Sequence, residues 1–131
     1  GRDNNHSPCS IYKNIFNLTN IMNIGDFNSN SQWDNLYKKR AETHSMLVER
    51  MKKNNIYSLY HYKNDVCHGN EKEGTLYFRK EHSKSYLIDY VFLSENLIKN
   101  VKSFSIGKYC EYITYSDHMP LFVSINDINQ V

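Results

Sequence analysis

The chain has 131 residues, 40% of them hydrophobic and 14% aromatic, and a formal net charge of +2. This length and composition predict a single globular domain with one core and exclude an intrinsically disordered chain. No apolar run is long enough to span a bilayer, and the charge is too small to indicate a nucleic-acid-binding protein by itself, although it leaves room for a local basic patch.

The first elements along the chain are short. Residues 1–10 are polar and predict a loop, and the apolar spacing in residues 11–18 predicts a short helix. Residues 21–24 predict a strand, and the polar residues 28–35 predict the loop that follows it.

An amphipathic helix is predicted next. Its apolar face consists of residues spaced i, i+3, i+4 and i+7, namely His44, Leu47, Val48 and Met51. Thr43 stands before this face as a possible N-cap, and Asn54-Asn55 stand after it as an end signal. Lysines and an arginine flank the helix, and a solvated helix face accounts for them better than the wall of a binding groove.

The second half of the chain predicts mostly β-structure. Its expected strands are residues 56–62, 75–79, 86–93, 101–106 and 121–125. The second and third of these strands are separated by a polar turn and predict a hairpin. A charged loop is expected at residues 63–73, and a short helix is expected to begin at Ser94. These elements together predict an α+β fold in one domain.

Gly25-Asp26-Phe27-Asn28 is the first motif with chemical potential, because it follows a predicted strand. If the segment stays extended, Asp26 and Asn28 point the same way and Phe27 points to the core. The carboxylate would then bind a hard cation or orient a water, and the amide would donate to a phosphoryl oxygen. Taken alone, the same four residues also fit an ordinary turn that ends a strand.

Two further motifs lie later in the chain. Asp89 stands among bulky apolar residues in a predicted strand, so its carboxylate needs a partner. A histidine is one natural partner, and backbone groups or Arg79 are the alternative. In Ser116-Asp117-His118, adjacent side chains in a loop can diverge, so that Asp117 reaches a metal and His118 reaches a phosphate. A lone histidine is also commonly structural.

These three motifs, in this order, resemble the metal-dependent endonuclease/exonuclease/phosphatase superfamily, which includes exonuclease III-like and deoxyribonuclease I-like enzymes. The resemblance runs from about residue 21 to residue 125. It is closest to bacterial exonuclease III-like members around Gly25–Trp33, at Thr75 and in residues 86–93, although Leu87 stands where a histidine is expected. The resemblance implies a two-layer β-sandwich flanked by helices and hydrolysis of phosphate esters with a divalent metal, Mg²⁺ or Mn²⁺.

The resemblance also implies a role for each motif residue. Asp26 would orient the attacking water and contact the metal, and Asn28 would hold the phosphate. Asp117 would ligate or support the metal. His118 would stabilise the phosphoryl oxygens, and Asp89 would orient His118.

Members of this superfamily are longer than the present chain, and the matching motifs belong to their C-terminal half. We therefore expect residues 1–131 to be the C-terminal portion of one such domain, a piece of something longer that is inactive by itself. The alternative is a non-catalytic remnant or binding module of the same fold. We also expect an exposed apolar patch and an unpaired strand edge, because Ile24, Val91, Leu93, Leu121 and Val123 would pack partly against the missing half.

The predicted substrate is a nucleic-acid phosphodiester, in DNA or RNA. The loops expected around the site, residues 29–43, 63–73 and 107–115, combine an aromatic residue with cations, namely Trp33, Lys38, Lys39, Arg40, Lys63, His68, Lys72 and Lys108. Such a rim suits a polyanionic backbone with a base to stack upon. A phosphoinositide or sphingolipid headgroup is the alternative, and no protein partner is predicted.

The three cysteines contain no Cys-x-x-Cys motif, which argues against a disulfide framework or a zinc site. Reduced thiols are typical of an intracellular protein, so we expect a cytoplasmic location.

Overall fold

The computed structural model describes residues 20–36 and 41–127, which form an α+β fold of short helices and small antiparallel sheets. Its strands are β1 (Met22–Asp26), β2 (Ile56–Ser58), β3 (Leu76–Tyr77), β4 (Ser85–Tyr86), β5 (Asp89–Ser94), β6 (Val101–Ile106) and β7 (Leu121–Ile125). Its α-helices are α1 (His44–Lys53), α2 (Leu59–Asn64), α3 (Glu95–Ile98) and α4 (Tyr109–Tyr112). Single 3-10 turns occupy Ser31–Trp33 and Phe78–Lys80. The predicted α+β class is therefore confirmed.

Some predictions lie outside the described residues. These are the loop at residues 1–10, the helix at residues 11–18, and the rim cations Lys38, Lys39 and Arg40. Within the two described ranges, no helix combines the length and the apolar character that crossing a bilayer requires.

Strand β5 is the centre of the fold. It pairs antiparallel with β1 on one side and β2 on the other, in the order β1-β5-β2. From Tyr90 to Ser94 every residue of β5 is buried, so both of its faces are covered. The register sets Asp26, the last residue of β1, directly opposite Asp89, the first residue of β5. The pairing of β1 with β5 therefore brings the two predicted site carboxylates to the same end of the sheet.

The two faces of this sheet pack against different partners. On one face, Tyr90 and Phe92 join the apolar side of α1 in a buried cluster, and Phe27 packs edge-on against both rings. On the other face, Val91 and Leu93 form a second cluster, against which side chains of β6 and β7 pack. Each fully buried side chain of this size stabilises the fold by about 1.5–3 kcal/mol relative to an exposed one.

Helix α1 matches its prediction closely. Its buried residues are His44, Leu47, Val48 and Met51. The Thr43 side chain accepts a hydrogen bond from the Met46 amide at 3.2 Å and caps the first turn. The helix ends at Lys53, with Asn54 as its C-cap and Asn55 in the left-handed region at φ 58°. Local signals determine this element.

The predicted strand at residues 56–62 is wrong in its second half. The chain is extended only over β2, and α2 begins at Leu59. Leu59, Tyr60 and His61 are buried at consecutive positions, which a strand with one covered face does not allow. Asp65 then ends the helix in the left-handed conformation at φ 51°.

The predicted hairpin is also revised. β3 pairs with the short β4, whereas β5 belongs to the central sheet. The two parts separate because the Thr75 side-chain oxygen accepts hydrogen bonds from the amides of Ile88 and Asp89, each at 3.0 Å. A side chain thus replaces the carbonyl of a neighbouring strand, and the chain changes sheets at this point.

Exposed large apolar side chains are scattered over the described residues, and two of them lie on β1. Met22 is 49% exposed and Ile24 is 53% exposed, and among the residues that the structure describes β1 pairs only with β5. Val91 and Leu93 are instead buried, because β6 and β7 cover them. The expected exposure therefore holds for Ile24 and is wrong for the two residues of β5. Leu121 and Val123 are partly buried, because they pack against the second cluster.

Candidate functional site

Three predicted site residues converge at the end of the central sheet. Asp26 and Asp89 come from paired positions of β1 and β5, and His118 comes from the loop before β7. One side-chain oxygen or nitrogen atom from each of the three lies within 4.8 Å of the other two. Residues distant in the sequence therefore lie together, whereas Asn28 and Asp117, to which the resemblance also gives roles, are not among the converging residues.

Asp89 and His118 form the closest pair. The Nδ1 atom of His118 lies 2.9 Å from an Asp89 carboxylate oxygen, and the side chains are 35% and 14% exposed. Because an ionised carboxylate only accepts, Nδ1 carries the proton and donates it. Burial lowers the pKa of His118, but the hydrogen bond and charge of Asp89, with the charges of Asp26 and Asp117, outweigh it and raise the pKa above its ordinary value. The predicted histidine partner of Asp89 is thus present, in preference to Arg79.

Asp26 faces the other ring nitrogen. The Nε2 atom of His118 lies 4.0 Å from an Asp26 carboxylate oxygen, which is too long for a direct hydrogen bond. A water or a substrate oxygen between the two groups would be in reach of both. The Asp26 side chain is 47% exposed, so this side of the site is open to solvent.

Of the two conformations considered for residues 25–28, the structure shows the turn and not the extended course. An Asp26 carboxylate oxygen accepts a hydrogen bond from the Asn28 amide at 2.7 Å, and Asn28 has a φ of 48°. This local hydrogen bond turns the chain directly after β1. Asn28 is exposed beside Asp26, but the two residues do not occupy alternate positions of one strand.

Asp117 lies next to the converging atoms without being one of them. Its charge helps to raise the pKa of His118, and its carbonyl accepts a hydrogen bond from the Tyr77 amide at 2.8 Å. Ser116 shapes the same loop, since its hydroxyl accepts from the His118 amide at 3.0 Å. The loop is thereby fixed to β3 and holds His118 at the site.

Thr75 connects the parts of this site. It is fully buried, and its hydroxyl holds the start of β5 through the amides of Ile88 and Asp89. Its carbonyl accepts a hydrogen bond from the Met119 amide at 2.6 Å, next to His118. Thr75 lies within the resemblance, which gives it no role. The signal for its role in the sequence is a threonine at the start of a predicted strand.

A second polar cluster was not predicted. It comprises the buried His44 and His61 together with His68 and Glu71, which are partly buried residues of the loop at residues 65–73. His61 Nε2 donates to Glu71 at 2.6 Å, and the rings of His61 and His68 are stacked with centroids 3.5 Å apart. Sequence reasoning placed His44 on an apolar helix face and His68 among the cations of the rim.

Burial controls the charges of this cluster. It lowers the pKa of His44 to about 4. Burial, with the charges of His61 and His44, lowers the pKa of His68 to about 3, so His68 is neutral at pH 7 and its prediction as a rim cation is wrong. Burial raises the pKa of Glu71, but hydrogen bonds from His61, the Gly69 amide and other donors outweigh it and lower the pKa to about 2.

A cleft with partly aromatic walls lies apart from Asp26, Asp89 and His118, none of which lines it. Tyr77, His82 and Tyr109 pack against one another and line this open cleft of about 440 Å³. Lys72 and Lys108 line the same cleft. Trp33, which was predicted at the rim, packs its ring against Tyr86 with centroids 5.1 Å apart.

The sequence has no counterpart among family models or curated proteins. Its candidate chemistry therefore rests on the geometry above.

Proposed function

We propose that this chain carries the phosphate-binding portion of a divalent-metal-dependent phosphodiesterase that acts on nucleic acid. The observation that carries the proposal is the convergence of Asp26, Asp89 and His118 at one end of the central sheet. This convergence is the arrangement expected from the resemblance to the endonuclease/exonuclease/phosphatase superfamily. The two-layer β-sandwich of that superfamily is part of the proposal, and the packing of β6 and β7 over Val91 and Leu93 supports it.

In the proposed reaction, water attacks the phosphorus atom and the bond to the leaving ester oxygen breaks. Asp26 is the exposed carboxylate, so it orients the water and takes up its proton. His118 donates a hydrogen bond from Nε2 to a phosphoryl oxygen, where negative charge builds. Asp89 holds the ring through Nδ1 and favours its charged form. The leaving oxygen receives its proton from solvent.

The donor groups fit Mg²⁺ or Mn²⁺ in part. Carboxylate oxygens are the ligands that such hard cations prefer, and Mg²⁺ commonly keeps several waters beside one or two carboxylates. Asp26 would hold the ion, and the nearby Asp117 would ligate or support it. Asp89 is already committed to His118 at 2.9 Å. A bound ion would supply charge neutralisation at the phosphoryl group.

The choice of nucleic acid rests on the aromatic cleft, which is connected to the His118 loop because the Tyr77 amide donates a hydrogen bond to the Asp117 carbonyl. Tyr77, His82 and Tyr109 offer aromatic surfaces, and Lys72 and Lys108 offer positive charge in the same cleft. This combination suits a phosphate backbone with an adjacent base, since every base has a face that stacks on an aromatic ring. A lipid substrate would call for an apolar loop, whereas the loops at residues 63–73 and 107–115 carry lysines.

The test is hydrolysis by the full-length protein with Mg²⁺ at low salt, where phosphate contacts are strongest. The substrates are nicked duplex DNA, abasic duplex DNA, single-stranded RNA and a phosphoinositide. We expect cleavage of a nucleic acid, and losses of about a hundredfold or more in turnover for Asp26→Ala and for His118→Ala.

Asp127→Asn is the control, since Asp127 is exposed and lies outside the converging group, and His82→Ala tests the aromatic cleft. Asp127→Asn should retain turnover, and His82→Ala should change only the affinity for nucleic acid. Near-normal turnover of both site variants would refute the assigned roles. Phosphoinositide hydrolysis without nuclease activity would overturn the substrate and leave the mechanism standing. Nucleic-acid binding without hydrolysis would favour the binding module.

A further inference from the structure

We propose that His61, His68 and Glu71 form a second metal site, suited to a divalent transition-metal ion such as Zn²⁺. One ligand atom from each of these residues lies within 4.8 Å of the other two. His61 belongs to α2, and the other two residues belong to the loop that follows it. No residue is shared with the group formed by Asp26, Asp89 and His118. The expectation of no zinc site rested on cysteine spacing alone.

Neighbouring groups already orient all three proposed ligands. The His61 ring is held at Nδ1 by the Ser58 hydroxyl at 2.6 Å, and the His68 ring is held at Nδ1 by His44 Nε2 at 3.1 Å. A hydrogen-bond partner on the ring nitrogen that does not bind the metal fixes the orientation of the ring, and such partners are typical of protein metal sites.

Glu71 is held in the same way, because Asn30 donates to its second carboxylate oxygen at 3.2 Å. The Glu71 side chain is 5% exposed and the His61 side chain is 7% exposed. A buried carboxylate beside imidazoles gains from a cation, because burial removes the water that would otherwise stabilise its charge. In the described residues, His61 is the only group that forms an ion pair with it.

The site has a route to solvent. His61 and His68 line an open cavity of about 480 Å³, between α1 and α2 and beside the exposed Cys67. An ion can enter through this cavity, and a water in it can occupy a fourth ligand position. Two imidazoles and one carboxylate, with one open position, are a donor set that suits Zn²⁺ better than Mg²⁺.

Binding requires two local changes. The His61 and His68 rings are nearly parallel, at 11°, and a metal lies in the plane of an imidazole that binds it, so the rings must tilt apart. His68 is only partly buried and lies in a loop, so it has room to move. The proton of His61 must also shift from Nε2 to Nδ1, where the Ser58 hydroxyl accepts it.

The test is calorimetric titration of the full-length protein with Zn²⁺, together with NMR of the histidine rings. We expect one zinc bound at this cluster, loss of the ring-stacking shifts of His61 and His68, and a rise in Tm. His68→Gln and Glu71→Gln should each weaken binding at least tenfold. Ser58→Ala removes an orienting partner and should weaken it about tenfold to a hundredfold.

Two controls separate this site from the candidate active site. Asp26→Asn should leave zinc binding at the cluster unchanged, and His82→Gln tests for adventitious binding by an exposed histidine. Because His61→Gln risks unfolding the buried core, the partly exposed His68 supplies the decisive variant. No stoichiometric zinc in the wild type, or zinc retained in both His68→Gln and Glu71→Gln, would overturn the proposal. Zinc lost only in Asp26→Asn would overturn it equally.

Discussion

Replacing Thr75 by valine should destabilise the protein although the two side chains have nearly the same shape. The Thr75 hydroxyl accepts hydrogen bonds from the amides of Ile88 and Asp89, each at 3.0 Å, and the residue is fully buried. Valine would leave both amides without a partner. Each buried unpaired donor costs about 1–3 kcal/mol, so with two such amides Thr75→Val should lower the free energy of unfolding by about 2–6 kcal/mol.

Thr75→Ser is the matched control, since it keeps the hydroxyl and removes one methyl group, at a cost of about 1 kcal/mol. Urea denaturation of both variants, followed by circular dichroism, measures the difference. The m-value should stay constant, because the surface exposed on unfolding is unchanged. If Thr75→Val proved as stable as Thr75→Ser, the hydroxyl would not be holding the start of β5.

Three further predictions concern charge and packing. Asp89→Asn should lower the pKa of His118, because the carboxylate raises it in the wild type; an unchanged NMR titration of the ring would contradict this. His44 is held neutral, with its pKa lowered from 6.5 to about 4, so the unfolded state binds more protons as pH falls through this window. His44 alone should therefore lower stability by up to about 3 kcal/mol between pH 6.5 and 4, and His44→Gln should reduce the dependence of the urea midpoint on pH, while His68, whose pKa is also lowered, keeps its own share. Met51→Ala should cost about 2–5 kcal/mol, because Met51 is fully buried, whereas Met46→Ala at a position 50% exposed should cost far less; equal urea midpoints would argue against the α1 packing.

The sequence predicted best what short-range signals determine. Thr43 as the cap of α1 and the apolar face around Met51 follow from the spacing of residues within one helix. Strand β1 and the helix after Ser94 were found in the same way. The turn after Asp26 could be stated only as one of two alternatives, because it depends on a single side-chain hydrogen bond.

Long-range side-chain contacts account for the other misses. The split between β4 and β5 depends on the Thr75 hydroxyl, which no hydrophobic pattern encodes. The buried histidine cluster joins α1 to a loop that looked merely charged, and its members are separated by up to 27 positions, from His44 to Glu71. Asp26, Asp89 and His118 come from three separate motifs and lie together, whereas Asn28 and Asp117 from the same motifs are not among the converging residues.

Strand β5 joins the candidate site to the core without an intervening turn. Asp89 is its first residue, and the five residues after it are buried. The Asp89 amide is bonded to a fully buried hydroxyl, so its hydrogen should exchange with solvent only when the whole domain opens. Heating should then abolish the geometry of the site and the fold in one step, so that residual function reports directly on the fraction of folded molecules.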